Sequence, residues 1–128
     1  MDARAGTPLA TLALDPARPS FRVSFRHSVH GTEVVDRYEV RGARVVLVQE
    51  SFEGEGYGLP SSLQPGERVS SHGGRTTLHT ARDVHPLAVR ASRAQRTAVH
   101  VDAPRPESLT LADFGEIGVR FDPIGCEG

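Results

Sequence analysis

Between Ser20 and Val29 the chain reads SFRVSFRHSV, and the alternation is strict. Phe21, Val23, Phe25, His27 and Val29 fall on one side, and Arg22, Ser24, Arg26 and Ser28 on the other. A period of two belongs to a strand with one buried and one wet face. The same period returns in TEVVDRYEVR, RVSSH, RTTLHT, HPLAVRAS, RTAVHVD and IGVRFD. ARVVLVQESF is apolar on both faces from Val45 to Val48, as expected of a central strand, and the first three runs should form a meander. PLATLAL near the N-terminus is expected to be an edge or first strand, broken by DPARP. Turns are expected at His30–Gly31, Arg41–Gly42 and Gly73–Gly74, where glycine tolerates positive φ. SLTLADFGE should hold at most one helical turn near Phe114. No segment sustains a 3.6-residue period long enough for a core helix. The expectation is an all-β fold: a single-domain antiparallel sandwich or barrel of about eight or nine short strands over residues 1–128.

Composition narrows the partners. A net charge of −1 and a pI near 6.6 argue against an electrostatic nucleic-acid binder. All 15 basic residues are arginine, which suits anion binding and equally a biased coding composition. Cys126, the single cysteine, sits two residues from the C-terminus, so no intrachain disulfide can form and no supporting pocket is expected around the thiol. No apolar run approaches the roughly 18–20 residues that span a bilayer. The opening residues lack the basic and apolar regions of a signal peptide, so the chain as given is expected to be soluble, either as such or after removal of an export signal.

Several groupings carry possible chemistry. His27 and His30 form an H-x-x-H, but on a strand that spacing sends the rings to opposite faces, so a shared metal is not expected. His27 should point inward with Phe21, Val23 and Phe25. Ser28, His27 and Asp36 offer the residue types of a hydrolytic triad, yet Ser28 faces away from His27 and no G-x-S-x-G elbow exists. Glu33 and Glu50 could face each other across paired strands, as a glycosidase pair does, or could lie on a solvated face with Arg22, Arg26, Arg37 and Arg41 as partners. GEGYGLP, with Gly56, Gly58 and Pro60, lacks the G-K-[ST] ending of a phosphate loop. It reads equally as a structural loop or as a docking loop beside a rigid sheet. The residues expected to touch a ligand are the outward row Arg22, Arg26 and Ser28, then His27, Glu33, Tyr38 and Glu50 on the strands, and Tyr57 in the loop. The outward row could clamp a carboxylate. No cofactor motif is present.

The ordered set is more telling than any single residue. F-x-V-x-F-x-H-S-V (Phe21–Val29), V-x-x-Y-x-V (Val35–Val40) and V-x-E-x-x-F-x-x-x-G-x-G-L-P (Val48–Pro60) are followed by HPLAVRAS and LTLADF. This order resembles the bacterial DUF1850 family, over about Phe21 to Phe121. The resemblance implies a small all-β extracytoplasmic protein, often encoded beside a TRAP transporter of the TAXI type. It implies no known activity and carries over no catalytic residue. The expected role is therefore a non-enzymatic accessory or binding module for the transporter, its solute-binding protein or a small carboxylate. The alternatives are a small hydrolase using His27 with Glu33 or Glu50, or a histidine metal-binding protein.

Overall fold

The computed structural model describes residues 9–27, 31–53, 63–102 and 105–123. Its strands are β1 (Ser20–Arg26), β2 (Glu33–Arg41), β3 (Arg44–Glu53), β4 (Arg68–His72), β5 (Arg75–Asp83), β6 (Leu87–Arg90), β7 (Ala98–Val101), β8 (Glu107–Thr110) and β9 (Gly118–Phe121). Seven of them form one sheet in the order β4-β5-β3-β2-β1-β7-β8, and β6 pairs with β9 in a second sheet of two. Every pairing is antiparallel. The fold is an all-β sandwich, and the large sheet has open edges at β4 and β8 among the described residues.

The alternation in β1 sets the inner layer. Phe21, Val23 and Phe25 stand opposite Tyr38, Asp36 and Val34 of β2. Phe21 stacks on Tyr38 with ring centroids 5.3 Å apart, and on Phe121 of the small sheet at the same 5.3 Å. Around this column Val23, Val45, Val99, Val101 and Val119 bury their side chains, joined by Leu87 and Leu111. The apolar face of one sheet thus meets that of the other, the ordinary way a half-wet sheet completes its core.

A bulge interrupts this regularity. Tyr38 pairs with Leu47 and Arg37 with Gln49, so Val48 is an extra residue opposite β2. The register between β3 and β5 shifts at the same place, between Leu47 and Gln49. Before the bulge the inward residues of β3 are odd-numbered, Val45 and Leu47. After it they are even-numbered, Glu50 and Phe52.

Two turns follow their glycines. His72 pairs with Arg75 around Gly73–Gly74, which have φ of 60° and 81°, the two positive values of a type I′ hairpin. Arg41 pairs with Arg44 around Gly42–Ala43, with φ of 64° at Gly42.

One expectation needs correction. In PLATLAL, the described residues form no strand. Leu9, Leu12 and Leu14 instead pack their side chains on the core, and a spacing of two and three between leucines suits an irregular cover better than a pleated ladder. SLTLADFGE holds the one expected turn, a 3₁₀ turn at Leu111–Phe114, and its Ser108–Thr110 belong to β8. The loop with Gly54, Gly56, Tyr57, Gly58 and Pro60 lies outside the described residues, as do Ser28, His30 and Cys126.

Phe21→Ala should cost about 3–5 kcal/mol, since it empties the space between two stacked rings. Phe114→Ala, at a ring 38% exposed, should change stability by less than about 0.5 kcal/mol. Urea unfolding of the two variants checks the contrast.

Candidate functional site

At one end of the sandwich, β1, β2 and β3 surround a recess of about 120 Å³. Phe25, Val34 and Phe52 form its apolar walls, and Thr32 and Glu53 complete its lining. His27 and Glu50 also line it. The β1–β2 connection places His27: its backbone N–H donates to Thr32 O at 2.7 Å, and Gly31 N–H donates to His27 O at 2.9 Å. His27 is therefore half-buried just past the end of β1, not within the Phe21 core as the alternation suggested. β1 ends at Arg26, three residues before the alternating run does, and the His27 ring past its end lines the recess.

Asp36 adjoins this site. It sits directly across from Glu50 and shares the inner face with Tyr38. The Tyr38 hydroxyl donates to Asp36 Oδ2 at 3.4 Å, and a side-chain hydrogen bond joins the Asp36 carboxyl to Glu50. Burial above all, and then the charge of Glu50, push the Asp36 carboxyl up to about 8. Burial and then the same two carboxyls push the Tyr38 hydroxyl upward as well. At neutral pH Asp36 is thus mostly a neutral acid, able to donate one hydrogen bond and accept others. Such perturbed groups beside a recess mark candidate binding chemistry.

The opposite face of the large sheet carries different groups. Starting from the β4 edge, Arg68, His79, Gln49, Arg37, Arg22 and His100 stand opposite one another in turn, on one line across six strands. Ser108 of β8 ends the line. Asp102, just after β7, accepts from Arg22 at 2.7 Å and from Arg37 at 3.5 Å. The His100 ring lies between two serines, with Nε2 2.8 Å from Ser24 Oγ and Nδ1 2.8 Å from Ser108 Oγ. Burial and then the Arg22 charge lower His100. Burial and then Arg68 lower His79.

The residues singled out in the sequence divide between these faces. His27 and Glu50 meet at the recess, and Tyr38 reaches it through Asp36. Arg22 and Arg26 face outward, but the carboxylate Arg22 holds is the chain's own Asp102, and Arg26 donates to Gly31 O at 2.9 Å. Glu33 does not face Glu50. It pairs with Arg26 on the outer face, 3.7 Å from Arg75, because the Val48 bulge turns Glu50 inward. Asp36 takes the place expected of Glu33. His79 and His100 are on β5 and β7, with three strands between them. Among the described residues no three or more His, Cys, Asp or Glu side chains gather as a metal site. The Ser24–His100 contact joins residues 76 apart in sequence, and no local motif signals it.

Fold and site together define a small two-sheet β domain with a polar recess at one end of its inner layer. The chain belongs to the DUF1850 family, a domain of unknown function, whose model matches residues 21–105. The match stops short of β8, and of β9 with its core residue Phe121. No curated protein and no solved structure matches the chain. No helix among the described residues is long and apolar enough to cross a membrane.

A raised Asp36 keeps its proton in the folded chain while the unfolded chain loses it near pH 4. Stability should therefore fall as pH rises from about 4 to 8 and level off above. Asp36→Asn should remove this slope and gain at least about 1 kcal/mol at pH 8 with little change at pH 4. Melting curves across that range check it.

Proposed function

We propose that this chain is a non-enzymatic binding module that works outside the cytoplasm beside a TRAP-type solute transporter, and that its recess holds a small solute with an amino group. The observation that carries the solute reading is the meeting of three apolar walls with the carboxylates of Glu50 and Glu53 in one recess, with Asp36 directly across from Glu50. A bound amine would donate to the Glu50 carboxylate, and its charge would favour ionisation of Asp36 across the strand pair. The acidic lining opposes an anion, so a carboxylate is the poorer fit here. A volume of about 120 Å³ limits the solute to a few atoms beside the about 300–1,000 Å³ of drug-sized pockets. The frequent encoding of family members beside TRAP transporters, which came with the resemblance, supports the transporter link and the extracytoplasmic setting. Co-purification with the transporter or its solute-binding protein tests that link.

One observation favours a second reading, a small hydrolase: His27 and Glu50 line the same recess. Glu33, on the far face, has no part in it. Turnover of a small ester or amide that disappears in His27→Ala would establish this reading.

For the binding reading, small primary amines should raise the melting temperature of the wild type, and Glu50→Gln should cut their apparent affinity by about ten-fold, the equivalent of one lost charge-assisted hydrogen bond. If amines at millimolar concentration leave melting unchanged, or stabilise Glu50→Gln equally, the recess is not their site.

A further inference from the structure

We propose that the outer face of the large sheet docks an acidic segment of a protein partner, with Asp102 occupying the place that a partner carboxylate takes. This rests on the reading of the chain as a module that works with another protein, and is independent of the recess.

Charge supplies the first reason. Along the line that crosses the sheet, Arg68, Arg37 and Arg22 face one carboxylate, Asp102, while both histidines on it are biased towards the neutral form. The flanking rows differ, because their arginines are already matched. On one side Arg41 pairs with Glu39 and Arg44 with Asp83; on the other Arg75 lies beside Glu33 and Glu53. A narrow cationic track therefore runs between two neutralised borders, on a chain whose net charge is −1. A long polyanion such as nucleic acid would meet the border carboxylates. A single extended acidic segment, laid along the track, would not.

Geometry supplies the second. Arg22 and Arg37 stand directly opposite each other, an arrangement that repels unless an anion lies between them. Asp102 shows how a carboxylate sits there, yet its side chain is 57% exposed and lies beyond the end of β7. Strands spaced about 4.8 Å apart put Arg68 roughly 19 Å from Arg22, the span of about six extended residues. Next to the track Ser70, Thr77 and Ser51 fall on a second line and add hydroxyl groups beside the segment's path. The surface is a flat pleat instead of a cavity, which suits a protein segment better than a small molecule.

Fluorescence anisotropy with a labelled hexaglutamate peptide at low salt tests this. Binding should weaken as salt rises, and Arg37→Gln or Arg68→Gln should each weaken it by about five-fold or more, about 1 kcal/mol. Asp102→Asn should tighten it by removing the internal competitor, and Arg90→Gln, on the small sheet, should leave it unchanged. The proposal is overturned if the wild type does not bind below about 1 mM, if Arg90→Gln costs as much as Arg37→Gln, or if an oligothymidylate of equal charge binds as tightly. Circular dichroism melting confirms that each variant folds. Should Asp102→Asn fail to fold, Arg68→Gln, four strand spacings from Asp102's partner Arg22, still decides. Amine binding at the recess is unaffected by either outcome.

Discussion

The position of Phe21 between Tyr38 and Phe121 is the constraint from which the rest follows. One ring belongs to the same sheet and the other to the opposite sheet, so a single side chain fixes both the pairing of β1 with β2 and the docking of the two layers. Strands alternate, so phase is inherited. With Phe21 inside, Arg22 and Ser24 must face outward. With Tyr38 inside, Asp36, two positions earlier, is carried inward too. The unusual state of Asp36 thus comes from an aromatic anchor on its own strand, and the cost of placing an acid there is set against the burial of three rings.

Much of this was legible in the sequence. Eight of the nine strands among the described residues, the meander and the glycine turns follow from a period of two and from turn chemistry. The family was legible too, in an ordered set of motifs and not in any one of them. What escaped was phase. In V-V-L-V, residues 45–48, every position is apolar, so alternation gives no sign that an extra residue has entered the strand. Counting through it places Glu50 on the side of Glu33, and the recess loses its inward carboxylate. The leucines of PLATLAL posed the reverse problem: apolar residues that seal a core without joining a sheet look like a strand when only hydrophobicity is read.

The two faces of the large sheet divide the chemistry by solvation. Inside, charge is suppressed, and Asp36 responds by holding its proton. Outside, charge persists and is managed by pairing, with Asp102, Glu39, Asp83 and Glu33 each in reach of a guanidinium. Arginine suits that task, since its planar fork can serve a carboxylate from several directions without losing its proton. An all-arginine basic set therefore has a structural use here, whatever its origin in composition.

The strand order also has a kinetic consequence. β1, β2 and β3 are consecutive and can pair as soon as they are made, but the other edge of β1 is completed only by β7. The contact of Ser24 with His100 closes a loop of 76 residues, a slow event beside the closing of hairpins. Until then Phe21 and Val23 lie on a strand with an unpaired edge, a template for pairing with other chains. Folding yield should therefore depend on concentration more than the native stability alone would suggest, and the residues from Ala98 to Val101 end that exposure.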